Sequence, residues 1–67
     1  MLSLTVNGET RRFQAPLDVA GLVTQLELDP RKVAIERNLA IVPRSAYGAT
    51  RLEEGDRIEI VTFVGGG

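Results

Sequence analysis

Residues 2–28 read LSLTVNGETRRFQAPLDVAGLVTQLEL, a hairpin pattern followed directly by a helical pattern. Apolar and polar residues alternate over Leu2–Val6, which is typical of a strand that is buried on one face. Asn7 and Gly8 come next, and this dipeptide suits the two positive-φ positions of a type I′ turn. The chain then returns over residues 9–14, so this stretch predicts an antiparallel hairpin.

The second strand of the hairpin is predicted to lie at an edge of the sheet. A two-residue turn pairs Leu2 with Phe13, and the same register puts Glu9 and Arg11 on the face that carries the core. Charged side chains are tolerated on that face if the strand lies at the edge of the sheet, because they can then extend beyond the edge into water.

Residues 18–28 carry the helical pattern. Asp18 is placed to cap the first turn, because its carboxylate can accept from the free amides there. The helix is expected to end before Pro30, which restricts the residue that precedes it. One helical face, at positions i, i+3, i+4 and i+7, is formed by Val19, Leu22, Val23 and Leu26.

The second half of the chain reads as two short strands, a long connection and a final strand. Residues 33–37 and 40–42 form an antiparallel pair around a two-residue turn, and a connection over 44–56 is anchored in the core by Leu52. The final strand covers 57–64. A helix between a hairpin and a later strand must pack on one face of the sheet. The order therefore predicts an α+β β-grasp, the ubiquitin-like roll, with a mixed sheet of four to five strands and one main helix on one face.

The opposite face of this sheet has no helix to cover it. The register places three apolar side chains there, Ile41, Val61 and Phe63, and an exposed apolar cluster usually marks a partner surface. Scattered surface apolar residues are the alternative. Arg44, after Pro43, is either a partner contact or a surface charge.

Gly65, Gly66 and Gly67 follow Val64, which divides the chain into a domain over 1–64 and a flexible C-terminal glycine tail over 65–67. A tail without side chains can pass through a narrow channel, because only backbone has to fit. We expect Val64 and the three glycines to contact a partner. The alternative is a frayed end or a cloning remnant.

Composition excludes several function classes. The 67 residues allow one domain and leave no room for a deep active site. The chain has no histidine and no cysteine, so it lacks the commonest general base, the thiol chemistry and the usual metal ligands, and a reducing cytoplasm is expected. Eight scattered basic residues against nine acidic ones and three aromatic residues predict no nucleic-acid partner, and the short apolar runs predict no membrane partner.

Residues 38–44 read NLAIVPR, and residues 52–64 read LEEGDRIEIVTFV before the glycines. These two segments resemble the ThiS family of sulfur carriers in thiamine biosynthesis. The family pattern is Asn-x-x-Ile/Val-Val-Pro-Arg, then Leu-x-x-Gly-Asp-x-Ile, then a terminal Gly-Gly. Leu39 departs from it, since many members carry glycine there, and leucine disfavours the positive φ of a two-residue turn.

The resemblance implies a carrier and not an enzyme. The carboxylate of Gly67 would be adenylated by a separate E1-like adenylyltransferase, which would hold the ATP and Mg²⁺; no cofactor would be bound by this chain. A cysteine-persulfide donor would then supply sulfur, and a thiazole synthase would take it from the thiocarboxylate. Three alternatives stay open: a carrier for another pathway of molybdopterin type, a ubiquitin-like protein modifier, and a nucleic-acid-binding β-grasp module.

Overall fold

The computed structural model describes residues 1–63, which contain five strands, one α-helix and two 3₁₀ helices. The strands and the α-helix are β1 Leu2–Val6, β2 Glu9–Phe13, α1 Val19–Gln25, β3 Val33–Arg37, β4 Ala40–Val42 and β5 Arg57–Thr62. The 3₁₀ helices are Pro30–Lys32 and Arg44–Ala49.

The sheet is mixed, with strand order β2-β1-β5-β3-β4. β1 and β5 run parallel, and the other neighbours are antiparallel. The side chains of Val19, Leu22 and Val23 are buried between α1 and the sheet. The predicted β-grasp is confirmed, and so is the position of β2 at an edge, where only Phe13 is buried.

The helix begins as predicted and ends earlier. The Asp18 carboxylate accepts from the Gly21 amide at 2.7 Å, which is the expected N-cap. The chain leaves the helix at Leu26 because Glu27 adopts a φ of 59°. Leu28 N–H then donates to the carbonyl oxygen of Val23, which together with the bond from Glu27 to Thr24 forms a Schellman motif. The predicted end near residue 28 is wrong because no glycine marks this left-handed position.

Both two-residue turns form with the predicted registers. Asn7 and Gly8 have φ values of 50° and 85°, and Asn38 and Leu39 have 52° and 72°. Leu39 therefore occupies the conformation that leucine disfavours, and its side chain is 82% exposed. Tertiary pairing of β3 with β4 outweighs this local strain.

The long connection contains a 3₁₀ helix that the sequence patterns did not indicate. Its Tyr47 is buried, 5% exposed, and packs with the core, as does the predicted anchor Leu52. The last strand is described through Thr62, two residues short of its predicted end. Val64, the domain boundary after it and the glycine tail lie outside the described residues.

Candidate docking face and the strand that carries the tail

The sheet face opposite α1 carries the three predicted apolar side chains. Ile41 is 66% exposed, Val61 59% and Phe63 55%. On β5, Val61 follows the buried Ile60. Because side chains alternate between the two faces along a strand, Val61 points away from the core. The prediction that these three residues are exposed is confirmed; their role as a docking surface stays a prediction.

The three side chains do not form an unbroken apolar surface. Ile41 lies opposite Glu36 on β3, and Glu36 in turn lies opposite Glu59 on β5. Two carboxylates therefore stand side by side at the centre of the face, where like charges destabilise a sheet. Within residues 1–63, neither glutamate has a cationic side chain within ion-pair distance. The two carboxylates therefore separate Ile41 from Val61 and Phe63 on the outer face.

Arg44 is exposed at the end of β4, where the second 3₁₀ helix begins. Its Nη2 lies 3.5 Å from the carbonyl oxygen of Arg31, at the outer limit of a hydrogen bond. The side chain is therefore accessible to a partner without being positioned by its own fold. The predicted partner residues Val64, Gly65, Gly66 and Gly67 lie outside the described part of the chain.

Asn7 has a role beyond the turn that its sequence pattern indicated. Its side-chain amide donates to the Ile60 carbonyl oxygen at 3.1 Å, and its Oδ1 accepts from the Ile60 amide at 2.7 Å. β1 pairs with β5 only at Thr5 and Val6, so the Asn7 side chain supplies the next pair of hydrogen bonds in place of another strand residue. This bond pair fixes β5 close to its end.

Asn38 binds the start of β5 from the side where β3 lies. Its amide donates to Asp56 Oδ1 at 3.0 Å, and its Oδ1 accepts from the Arg57 amide at 2.9 Å. Asp56 also accepts from Arg37 Nε at 2.8 Å and from the Glu53 amide at 2.8 Å. The start of β5 is therefore fixed by one buried carboxylate with three donors.

The charge state of Asp56 follows from this environment. Burial alone would raise the pKa of its carboxyl group, but the bonds from Asn38, the Glu53 amide and Arg37, with the charge of Arg37, hold that pKa below its ordinary value. Asp56 is thus ionised at neutral pH and contributes to stability. Its sequence signal was the Gly-Asp pair at 55–56, which the family pattern contains.

A groove of about 520 Å³ opens on the helix side of the sheet, between the end of α1 and β5. Its walls carry Glu9, Arg11 and Glu27, and its lining includes Thr62. Among residues 1–63 no group of histidine, cysteine, aspartate or glutamate side chains is arranged to hold a metal ion. In the same range no helix is long and apolar enough to cross a membrane.

Residues 4–67 match the model of the ThiS family. The chain belongs to the ThiS family. The resemblance carried by residues 38–44 and 52–64 is therefore confirmed, and the family match includes the three glycines.

Individual relatives agree with this assignment to the ThiS family. The sulfur carrier protein ThiS of Bacillus subtilis is 34% identical over 65 residues, which are 96% of this chain and 98% of that protein. The crystal structure of the thiamine biosynthesis protein ThiS from Geobacter metallireducens superimposes with a TM-score of 0.83 at 33% identity and covers 98% of this chain and 100% of that one.

A different kind of relative is a thiazole synthase of Paramagnetospirillum magneticum. It is 50% identical over 66 residues, which are 98% of this chain and 20% of that protein. The chain therefore spans about a fifth of the length of the thiazole synthases it matches. In such relatives a ThiS-like segment is part of a longer polypeptide that is named for the synthase.

Proposed function

We propose that this protein is a sulfur carrier in thiamine biosynthesis and that the α-carboxyl group of Gly67 carries the sulfur. The observation that supports this best is the family match, which runs over residues 4–67 and so includes the glycine segment. The fold adds support, because β5 leads directly to that segment and is hydrogen-bonded on both sides by Asn7 and Asn38.

The chemistry needs no side chain of this protein. A chain-terminal carboxylate is ionised at neutral pH, so its oxygen can attack the α-phosphorus of ATP without a general base, and pyrophosphate leaves. The terminal sulfur of a cysteine persulfide then attacks the acyl carbon and expels AMP, which forms an acyl disulfide. A second thiol of the donor cleaves the S–S bond, becomes oxidised to a disulfide with the first cysteine, and releases the thiocarboxylate.

The folded body serves as the recognition element in this proposal. An E1-like adenylyltransferase that holds ATP and Mg²⁺ docks on the outer face at Ile41, Val61 and Phe63, with Arg44 as a further contact. All four side chains are exposed, and Val61 and Phe63 lie at the end of β5, the strand that leads to the tail. Val64, Gly65 and Gly66 pass through a channel of the enzyme, which their small or absent side chains permit.

The thiazole synthase is the acceptor of the sulfur. Support comes from the relatives in which a ThiS-like segment and a protein named thiazole synthase are one chain. A covalent link between two domains raises their effective concentration for each other, which is expected for partners that must meet in every reaction cycle.

Intact-mass spectrometry tests the proposal. The purified protein is incubated with ATP, Mg²⁺, the adenylyltransferase and a persulfide donor, and its mass should rise by the difference between one sulfur and one oxygen atom. The gain should require ATP and should map to Gly67. Covalent conjugates of the chain to lysines of other proteins, without this mass gain, would instead support the protein modifier and contradict the carrier.

A further inference from the structure

Thr62, the last residue of β5, has an unused backbone edge on the side of the strand where β1 lies. In the pairing with β3, Phe63 N–H donates to the Lys32 carbonyl oxygen and Asn38 N–H donates to the Arg57 carbonyl oxygen. Alternate residues of β5 therefore face β3, and Thr62, opposite Val33, belongs to a pair without hydrogen bonds between its members. Its N–H and C=O consequently point to the side where β1 lies.

β1 ends before it reaches Thr62. Along that side of β5, two carbonyl oxygens accept from backbone amides: Asp56 from Thr5 and Ile58 from Asn7. The carbonyl oxygen of Ile60 accepts from the side chain of Asn7. The chain then turns away at Gly8. Within residues 1–63, nothing supplies the next pair of bonds, so the N–H and C=O of Thr62 have no backbone or side-chain partner.

The groove on the helix side lies beside this edge and has room for a chain. Its lining includes Val6 and Asn7, where β1 ends, together with Thr62 on β5. The partly buried Leu26 and Leu28 provide apolar contacts. A strand placed there would lie about 4.8 Å from β5. The volume of about 520 Å³ accommodates several residues in extended form.

The other edges of the sheet are protected against strand addition. β2 carries Arg11 and Arg12 on its exposed edge, and β4 has only three residues before Pro43. Charges, short length and proline are the usual devices that prevent an edge from pairing. The edge at Thr62 has a neighbouring groove instead, and it lies next to the segment that delivers the tail.

We propose that Thr62 is a strand-addition site: an extended segment of the thiazole synthase enters the groove in line with β1 and pairs with the N–H and C=O of Thr62. The choice of this partner rests on the proposed function and on the relatives in which a ThiS-like segment is part of a protein named thiazole synthase. Main-chain pairing would supply affinity with little dependence on sequence. It would also hold β5 in one direction relative to the synthase, so that the residues after Phe63 enter the enzyme along a fixed line.

A matched pair of variants tests the proposal. Thr62→Pro removes the N–H and fills its place with a ring, while the pairing with β3 keeps all its bonds; proline is tolerated where the N–H faces away from the sheet. Thr62→Val keeps the N–H and the branched β-carbon. Affinity for the purified synthase should fall by about tenfold or more in Thr62→Pro and stay near wild type in Thr62→Val.

Amide hydrogen exchange provides a measurement that needs no variant. The Thr62 N–H should exchange rapidly in the free protein and slowly in the complex with the synthase. Equal affinity of the two variants, or rapid exchange in a saturated complex, would overturn the proposal. Slow exchange in the free protein would show that the chain covers the Thr62 edge itself, and this would also overturn the proposal. A dimer that Thr62→Pro dissociates would show that the occupant is a second copy of the chain, which would overturn the proposal as well.

The tests of the strand-addition site and of the carrier role can fail independently of each other. If wild type gains sulfur by mass spectrometry while Thr62→Pro binds the synthase like Thr62→Val, the strand-addition site is wrong and the carrier stands. If wild type never gains sulfur but its Thr62 amide becomes protected in the complex, the carrier is wrong and the strand-addition site stands.

Discussion

The side-chain amide of Asn7 hydrogen-bonds both backbone groups of Ile60, a residue 53 positions away, at 2.7 and 3.1 Å. This contact joins the first turn of the chain to the strand that leads to the glycines. The same asparagine also adopts the positive φ of the turn. One residue therefore sets the first hairpin and the position of the last strand.

We expect Asn7→Gly to separate these two roles. Glycine accepts the positive φ, so the turn survives, but both bonds to Ile60 are lost and the polar groups of that residue are left without partners. The free energy of unfolding should fall by about 1–3 kcal/mol, as measured by urea denaturation. An unchanged midpoint would show that water replaces the side chain at no cost.

Stability should depend on pH through Asp56. Its pKa is lowered in the folded protein, so the carboxylate stabilises the fold above its ordinary value of 3.8, and this contribution disappears as the pH falls through the lower folded value. Asp56→Asn should cost about 1–3 kcal/mol at pH 7, because hydrogen bonds to a charged group are lost. The difference between wild type and variant in urea denaturation should shrink steadily below pH 3.8.

Asp29 is the matched control for this pH effect. The side-chain hydrogen bond from Arg31, together with the Arg31 amide, lowers its pKa to about 2. The two residues are only two positions apart, however, so the same contact is available to the unfolded chain, and the pKa of Asp29 then differs little between the folded and unfolded states. Asp29→Asn should leave the dependence of stability on pH close to that of wild type. An equal effect of both substitutions would contradict the role of the buried network around Asp56.

Leu39→Gly should stabilise the protein. Leucine at a φ of 72° is strained by about 1–2 kcal/mol, and glycine removes that strain at the expense of greater freedom in the unfolded chain. The net gain should be about 0.5–1 kcal/mol in urea denaturation. Because Leu39 is 82% exposed, little packing is lost. A decrease in stability would mean that its side chain has contacts which outweigh the strain.

The sequence patterns predicted the elements and their registers because these follow from local rules. Alternation identifies β1, the spacing from Val19 to Leu26 identifies α1, and the asparagine turns fix which residues lie opposite each other. The exposure of Ile41 and Val61 then follows from register alone. These steps need only the period of a strand or helix and the length of a turn.

Features that depend on contacts between distant residues could not be predicted in this way. The end of α1 depends on a left-handed Glu27, which no glycine announces. The burial of Tyr47 depends on a 3₁₀ helix that packs near α1. The bonds from Asn7 to Ile60 and from Asn38 to Asp56 join turns to a strand much later in the chain, so a reading of each turn alone could not find them.

Phe63→Asp tests the docking face. Phe63 is 55% exposed, so the substitution should leave stability nearly unchanged, while a buried aromatic contact with the adenylyltransferase would be replaced by a charge. Affinity should fall by about tenfold or more. Thr10→Asp is the control, because it adds the same charge to an exposed position on β2, at the far edge of the sheet. Equal losses in both variants would indicate a general charge effect and contradict a local docking role.

Deletion of Gly67 tests the site of the chemistry. The shortened chain still ends in two glycines and a carboxylate, so its reactive group is chemically unchanged. Its reach is reduced by about 3.3–3.6 Å, the length of one extended residue. Attack on ATP requires contact within about 3–3.5 Å, so the carboxylate would no longer reach the α-phosphorus when the body is docked.

Sulfur loading of the shortened chain should therefore collapse in the mass assay, while binding to the adenylyltransferase through the outer face persists. Gly67→Ala keeps the length and adds one methyl group, so it distinguishes loss of reach from crowding in the channel: loading that survives in Gly67→Ala but not in the deletion assigns the defect to length. The urea midpoints of both variants serve to exclude a folding defect. If the shortened chain gains sulfur at the wild-type rate, the position of the terminal carboxylate does not matter to the enzyme, and the carrier role assigned to Gly67 is wrong.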